Sequence, residues 1–199
     1  MLYAILKVIF QIYFRILFRA EVRGTDHVPK DGALILAANH MSNWDPPFLG
    51  CFCPRIVSYM AKQELFEHPI FGAAIRRCHA FPIKRGAGDR GAIKTAVQVL
   101  KDGHCLGVFP EGTRSRDGKM KKAEAGVGLI AAMTGAAITP AAIVGTHRVF
   151  AKGSLFPKLK LAYGEPMRFE GNPKDKEALA AFSQSIMDEI ARMKAELTG

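Results

Sequence analysis

The sequence lacks the marks of a disulfide-linked or repetitive protein. Its four cysteines lie unevenly at positions 51, 53, 78 and 105, and this spacing does not indicate a disulfide framework. We therefore expect reduced thiols in a cytosolic setting. No internal repeat or low-complexity segment is present, and 199 residues are enough for one domain with a sizeable core.

No apolar run is long enough to span a bilayer, because a spanning helix needs about 18 or more apolar residues in succession. In the most apolar segment, residues 1–20, a polar side chain recurs every four residues. These side chains are Lys7, Gln11, Arg15 and Arg19. On a helix they form one narrow stripe, with apolar residues covering the rest. We expect residues 1–20 to form an amphipathic helix that lies in the membrane surface, followed by a single domain over residues 21–199. The alternative is a helix packed on the domain.

One further kind of site is missing from the sequence, and two others are disfavoured. A serine hydrolase needs G-x-S-x-G at a nucleophile elbow, and the motif is absent. Nucleic-acid binding is disfavoured because we find neither a helix-turn-helix pattern nor exposed aromatic residues among basic ones. A metal site is disfavoured because the spacings do not fit a zinc ribbon or finger. The residues concerned are Cys51, Cys53, His68, Cys78, His79, His104 and Cys105.

What the chain does have is positive charge, with 28 basic and 18 acidic residues and a formal net charge of +10. This balance favours anionic partners: phosphate esters, an anionic membrane face or nucleic acid. A literal G-x-G-x-x-G at residues 86–91 precedes Glu111 by twenty residues, as a dinucleotide site would require. However, Lys84 and Arg85 abut the first glycine, where a dinucleotide-binding fold has a buried apolar strand.

The first informative stretch follows an apolar run at residues 33–38, which predicts a buried strand. The polar residues Asn39 to Asp45 then stand where the strand leaves the sheet, and ligands bind at that edge of open α/β sheets. His40 and Asp45 are close enough in a turn for the carboxylate to meet the imidazole. Such a pair leaves the other ring nitrogen free as a general base. In the alternative interpretation, His40 and Asp45 only cap backbone groups.

A second loop repeats this arrangement. The apolar run at residues 105–109 predicts another buried strand, which leads into residues 110–116. Arg114 and Arg116 are suited to hold a phosphate, with Thr113, Ser115 and the Gly112 N–H as neutral donors. These expectations follow from the fork of donors on a guanidinium. The alternative is a solvated basic turn, because residues 117–119 continue as an exposed loop.

The remaining patterns predict alternating strands and helices. Helices are expected from Pro46 to Cys53, at 63–77 with a break near His68-Pro69, after Gly91, at 121–135, and after Asn172-Pro173. Further strands are expected at 55–60, 80–84, 138–144 and 159–163. Pro140 lies within one of them and predicts an edge position or a bulge, because proline donates no ladder hydrogen bond.

The two loops, NHMSNWD and FPEGTRS, resemble motifs of the 1-acyl-sn-glycerol-3-phosphate acyltransferase family of phospholipid biosynthesis. His40 and Asp45 match its first block, Phe109 to Ser115 its third, Arg85 its second and Pro140 its fourth. The resemblance covers about residues 20–165. It implies a single α/β domain with a mostly parallel or mixed sheet flanked by helices, the glycerolipid acyltransferase fold.

The resemblance also implies an activity: transfer of an acyl group from a thioester to the sn-2 hydroxyl of 1-acyl-glycerol 3-phosphate, giving phosphatidic acid. His40 is then the general base and Asp45 orients it. Arg85 and Arg114 hold the acceptor phosphate, and Glu111 positions Arg114 or a glycerol hydroxyl. The full expected substrate-binding set is Asn39, Ser42, Arg85, Glu111, Gly112, Thr113 and Arg114.

The expected partners are a lysophospholipid acceptor, an acyl-CoA or acyl-carrier-protein donor, and a membrane surface, with no metal or other cofactor. The enzyme is expected on the cytoplasmic face of the cell membrane, peripheral or monotopic. Two alternatives stay open. One is an acyltransferase for another glycerol-phosphate or lysophospholipid acceptor, since His79 and Lys84 depart from the second block. The other is a basic lipid- or nucleic-acid-binding protein without catalysis.

Overall fold

A computed structural model describes residues 2–83, 90–115, 120–124 and 126–199, without the side chain of Arg90. Within these residues, seven strands form one sheet in the order β1-β7-β6-β2-β5-β3-β4. The strands are β1 (Glu21–Arg23), β2 (Leu34–Ala38), β3 (Val57–Lys62), β4 (Ala80–Ile83), β5 (Cys105–Val108), β6 (Ala137–Val144) and β7 (Lys160–Tyr163). The helices are α1 (Leu2–Leu17), α2 (Asp45–Phe52), α3 (Pro69–Arg77), α4 (Arg90–Lys101), α5 (Gly126–Thr134) and α6 (Lys176–Thr198).

The sheet is parallel except where β6 meets β7, so the expected mixed α/β domain is confirmed. β2 lies between β5 and β6, and all five of its residues are buried. An unbroken apolar run suits this position, because a central parallel strand is covered on both faces. β2 and β5 pair from Leu34 opposite Cys105 to Ala37 opposite Val108. Their carboxyl ends are therefore neighbours, and the two polar loops leave the sheet side by side.

Helices cover both faces of the sheet, and alternate residues of β2 point into the two layers. Leu34 and Leu36 belong to a core with Phe14 of α1 and Phe48 of α2. Ile35 and Ala37 belong to the opposite core, with apolar residues of α4, α5 and α6. Such a sheet between two helical layers positions the strand ends rigidly.

Helix α1 packs on the domain with two residues of its polar stripe, Lys7 and Gln11, turned inward. Lys7 Nζ donates to the carbonyl of Cys53 (2.6 Å), and Gln11 Nε2 donates to that of Cys51 (2.6 Å). These carbonyls lie at the end of α2, where a helix leaves its last carbonyl groups without intrahelical partners. Phe14 of α1 and Phe18, just after the helix, are fully buried.

The outward face of α1 is aliphatic. Its most exposed large apolar side chains are Ile5, Val8, Ile9, Ile12 and Ile16, each between 49% and 70% exposed. Of the four residues in the predicted polar stripe, Lys7 and Gln11 therefore face α2, whereas Arg15 and Arg19 are exposed. In the part of the chain that the structure describes, no helix has the length and apolarity needed to cross a bilayer.

Of the two alternatives predicted from Pro140, an edge position or a bulge, the edge position is wrong, since β6 lies between β2 and β7. The carbonyl of Pro140 accepts from the N–H of Gly164 (2.8 Å), just beyond the end of β7. The N and the carbonyl of one strand residue face the same neighbour, so the proline nitrogen also faces this side. Because the regular ladder with β7 starts only at Ala141, the missing N–H costs no ladder hydrogen bond.

The helix expected over residues 121–135 is shorter, because α5 begins at Gly126. The preceding backbone is used by the second loop instead. The N–H of Lys121 donates to Glu111 Oε2 (3.1 Å), and that of Glu124 donates to the carbonyl of Pro110 (2.8 Å). These bonds hold residues 120–124 against the loop in a non-helical conformation.

We expect the close packing of α5 on α6 to depend on Gly128. A Cβ built on Gly128 would lie 2.6 Å from both the Leu179 carbonyl oxygen and Ser183 Oγ. Gly128→Ala should therefore lower the free energy of unfolding by about 1–3 kcal/mol, as overpacking does. The matched control is Gly126→Ala, since nothing lies within 4 Å of a Cβ there. Urea unfolding of both variants checks this, and equal stability would contradict the packing.

Candidate active site

The two polar loops are joined to each other by backbone hydrogen bonds around His40. The N–H of Ser115 donates to the His40 carbonyl (2.8 Å). The N–H of His40 donates to Glu111 Oε1 (2.8 Å). Both backbone groups of His40 are thereby held by the second loop, which fixes the imidazole at the carboxyl edge of β2 and β5.

The expected contact between His40 and Asp45 is present. His40 Nδ1 lies 2.9 Å from Asp45 Oδ2, and the Asp45 side chain is completely buried. The same oxygen accepts from the backbone N–H groups of Met41 (2.6 Å) and Ser42 (2.7 Å). Three donors on one oxygen suit a carboxylate acceptor. Asp45 Oδ1 is buried without a hydrogen-bond partner among the described residues.

The imidazole of His40 is held from the side by an aromatic stack. The ring of Phe109 lies nearly parallel to it at a centroid distance of 4.1 Å, and the ring of Tyr59 stacks behind Phe109 at 6.4 Å. Gly107 makes room for Tyr59, since a Cβ there would lie 2.2 Å from Tyr59 Cε1. Burial raises the pKa of the Tyr59 phenol well above its ordinary value, so the aromatic stack beside His40 carries no charge.

This arrangement leaves His40 Nε2 available for chemistry. Nδ1 is taken by Asp45, whereas Nε2 makes no hydrogen bond within the described part of the protein. The side chain is 11% exposed, so the ring is close to solvent at one edge only. An imidazole oriented by a carboxylate, with its other nitrogen open, can accept a proton from a bound hydroxyl.

Asn39 and Ser42 lie in the turn, and both bind backbone. Asn39 Nδ2 donates to the Ile143 carbonyl (2.9 Å), and Asn39 Oδ1 accepts from the Ile143 N–H (2.8 Å). The Asn39 side chain thus continues the β2–β6 pairing past the end of β2. Ser42 Oγ accepts from the Trp44 N–H (3.2 Å) and shapes the start of α2. Their predicted contact with substrate stays a prediction.

Glu111 is almost completely buried and binds two backbone N–H groups, those of His40 and Lys121. Within the described residues it makes no hydrogen bond to Arg114, whose Nη1 instead donates to Asn43 Oδ1 (2.8 Å). A buried carboxylate satisfies the backbone N–H groups that the two loops would otherwise leave without partners. Glu111 therefore joins the loops, and the expected Glu111–Arg114 contact is replaced by one between Arg114 and the first loop.

Other predicted residues complete the second loop. Gly112 adopts a left-handed backbone (φ 65°), which favours glycine, and Thr113 Oγ1 accepts from Lys121 Nζ (2.9 Å). Arg85 and Arg116 lie outside the described residues. No group of three or more His, Cys, Asp or Glu side chains that could hold a metal ion occurs among the residues the structure describes.

Sequence reasoning missed two neighbours of the turn. Phe109 ends the predicted strand and begins the third motif block, but the sequence does not predict that its ring stacks on His40. An aromatic residue beside a polar loop is a signal that it can flank a site. The second neighbour is His147, in the short turn after β6. Partial burial, Arg148 and Lys194 lower the pKa of the His147 imidazole, while the nearby Asp45 carboxylate opposes them. This pattern puts His147 in the electrostatic field of Asp45.

Comparison with known proteins agrees with this geometry. The family model described as Acyltransferase matches residues 19–144, which include both loops and β2 to β6. A 1-acyl-sn-glycerol-3-phosphate acyltransferase of Bacillus subtilis is 35% identical over 185 residues, covering 89% of each chain. An enzyme of the same name from Streptococcus pneumoniae is 34% identical over 183 residues, covering 89% of this chain and 67% of its own.

A solved structure has the same fold. The crystal structure of the 1-acyl-sn-glycerophosphate (LPA) acyltransferase PlsC from Thermotoga maritima matches with a TM-score of 0.82 and 29% identity, covering 99% of this chain and 80% of that one. The family match spans more than half of the chain and contains the His40–Asp45 turn. This chain belongs to the acyltransferase family.

Proposed function

We propose that the protein is a 1-acyl-sn-glycerol-3-phosphate acyltransferase. It transfers a fatty acyl group from an acyl thioester to the sn-2 hydroxyl of 1-acyl-glycerol 3-phosphate and gives phosphatidic acid. The observation that carries the proposal is the imidazole of His40, with Nδ1 on the buried Asp45 and Nε2 open at the sheet edge. The names of the relatives support the choice of acceptor.

In the proposed mechanism, His40 acts directly on the acceptor. Nε2 takes the hydroxyl proton as the oxygen forms its bond to the thioester carbonyl carbon. The C–S bond then breaks, and the thiolate leaves with the proton from the imidazolium. No acyl-enzyme is needed, because a thioester is already activated. Asp45 keeps Nδ1 protonated and stabilises the imidazolium, while Met41 and Ser42 hold Asp45 in place.

The acceptor phosphate is assigned to the basic groups of the second loop. Arg114 is partly exposed and lies beside the first loop through Asn43, so its guanidinium stands close to the turn that carries His40. The side chain of Lys121, which follows this loop in sequence, is held against it by a hydrogen bond to Thr113. A guanidinium binds a phosphate with two parallel hydrogen bonds. Arg85 is proposed as a second phosphate ligand from the resemblance alone.

We also propose that the protein works at the cytoplasmic face of the cell membrane as a peripheral or monotopic protein. The aliphatic outer face of α1 supports this, since a stripe of exposed isoleucine and valine on a packed helix has no partner in the described chain. The acyl tail of the acceptor resides in the bilayer. The donor is an acyl-CoA or an acyl-carrier protein, and no metal or further cofactor takes part.

The proposal is tested by incubating the purified protein with radiolabelled acyl-CoA, or acyl-carrier protein, and a panel of acceptors. The panel contains 1-acyl-glycerol 3-phosphate, glycerol 3-phosphate and neutral lysolipids. Labelled phosphatidic acid formed from the first acceptor is the expected result. If product forms only from another acceptor, the acceptor is reassigned. If no donor and acceptor pair gives product, the proposed enzymatic activity is rejected.

We expect His40→Ala to lower kcat by at least about 10²-fold, because loss of a general base costs this much. The matched control is His104→Ala, an exposed histidine before β5 at the opposite end of the sheet. Initial rates of phosphatidic acid formation under saturating donor measure the effect. Near-normal activity of His40→Ala, or an equal loss in the control, would contradict the assignment.

Asp45→Asn should lower kcat while leaving the KM for the acceptor nearly unchanged. The amide keeps the shape of the side chain but no longer compensates the imidazolium charge, so turnover should fall by about 10²-fold or more. Steady-state kinetics across acceptor concentrations separates the two parameters. An effect confined to KM would show that Asp45 does not orient the base.

Replacing two outward residues of α1, Ile12→Ser with Ile16→Ser, should weaken association with liposomes containing anionic lipid. Both side chains are more than half exposed, so the core beneath α1 is untouched. Each lost aliphatic side chain should cost about 1 kcal/mol of partitioning. Co-flotation measures this against Met133→Ser, an exposed residue of α5 on the opposite layer. Unchanged flotation of the double variant would refute the role of α1.

A further inference from the structure

A second exposed apolar element follows β6. Residues 149–156, here named the aromatic loop, form a tight hairpin in which the N–H of Phe150 donates to the Leu155 carbonyl (3.2 Å). The side chains of Phe150, Leu155 and Phe156 are 49%, 59% and 47% exposed. Phe150 also has a left-handed backbone (φ 57°), which is strained for an aromatic residue. The loop thus exposes three large apolar side chains, and the backbone of Phe150 is strained in doing so.

The aromatic loop adjoins the end of α1. The ring of Phe18 contacts those of Phe150 (5.9 Å between centroids) and Phe156 (5.7 Å). Arg19 Nη2 donates to the Phe156 carbonyl (2.8 Å). The aromatic loop therefore packs against the carboxyl end of α1, the helix whose outward face is aliphatic.

The charge around the aromatic loop is mainly positive. The carboxylate of Glu21, just after the end of α1, forms an ion pair with Lys158 (2.5 Å). Residues 1–20 contain no aspartate or glutamate, and neither do residues 125–164. Exposed cations flank the aromatic loop at Arg19, Arg148 and Lys152. Aromatic and aliphatic side chains ringed by lysine and arginine fit the head-group region of an anionic bilayer. A second copy of this chain would bring these cations against one another.

We propose that the aromatic loop is a second membrane-binding element, which inserts Phe150, Leu155 and Phe156 into the interface of an anionic bilayer beside α1. The choice of a lipid surface rests on the proposed function, which gives the protein a lipid acceptor. The loop also touches the catalytic turn, since the ring of Phe150 lies 6.0 Å from that of Trp44, next to Asp45. Lipid bound at the loop is thereby brought beside the turn that carries His40.

Two substitutions test the loop without touching the core. Leu155→Ser should weaken binding to phosphatidylglycerol-containing vesicles about fivefold to tenfold, as expected for loss of one inserted leucine. Lys152→Glu should weaken it about tenfold, because an attraction becomes a repulsion. The matched controls are Met133→Ser and Lys174→Glu, exposed positions on α5 and just before α6. Both controls should bind as the wild type does.

Insertion is measured directly with a tryptophan reporter. The chain has one tryptophan, so Trp44→Phe combined with Leu155→Trp places the only indole in the aromatic loop. Its emission should shift to the blue with anionic vesicles and be quenched by brominated lipid. The same background with Met133→Trp should show neither change. Equal responses at the two positions, or none at 155, would overturn the proposal.

Sedimentation without lipid tests whether a second copy of this chain covers the aromatic loop instead. A monomer in both wild type and Leu155→Ser is expected, and a wild-type dimer lost in Leu155→Ser would assign the surface to a second copy. Acyl transfer by the wild type is assayed on the same preparation. Vesicle binding without turnover would reject the proposed function and leave lipid binding by the loop intact. If the wild type turns over substrate but Leu155→Ser and Lys152→Glu bind vesicles as the wild type does, the membrane role of the aromatic loop is rejected and the proposed function stands.

Discussion

One carboxylate oxygen organises the candidate site of this protein. Asp45 Oδ2 accepts from His40 Nδ1 and from two backbone N–H groups of the turn between them. The backbone of the turn is therefore folded around the Asp45 carboxylate. Because backbone N–H groups hold this carboxylate in place, the backbone of the turn also sets the orientation of the His40 ring. Because Asp45 is also the first residue of α2, the packing of that helix fixes where the oxygen lies.

The sheet supplies the second constraint. The in-register pairing of β2 with β5 brings two loops of different chemistry to the same edge. From a buried position, Glu111 accepts from the backbone N–H of His40 in the first loop and from that of Lys121 beyond the second loop. The ring of Phe109 stacks on the imidazole. A carboxylate in the second loop thus supports the imidazole carried by the first. The two sequence motifs act as one structural unit.

Much of this was readable from the sequence, and the exceptions share a cause. Apolar runs bounded by polar loops predicted β2 and β5, and the spacing of His40 and Asp45 predicted their contact. Periodicity could not show which neighbour a polar group meets. Pro140 lies in an interior strand because β7 ends beside it, and Glu111 binds backbone rather than Arg114. These outcomes depend on three-dimensional neighbours that local pattern does not encode.

The two inward residues of the α1 stripe have a consequence for handling the protein. Lys7 and Gln11 hold the carbonyl end of α2, and Asp45 stands at the other end of that short helix. A detergent that binds the aliphatic side of α1 acts on a helix that also supports Asp45 through α2. The choice of detergent and the geometry of the His40–Asp45 pair are consequently linked through two hydrogen bonds at the far end of α2.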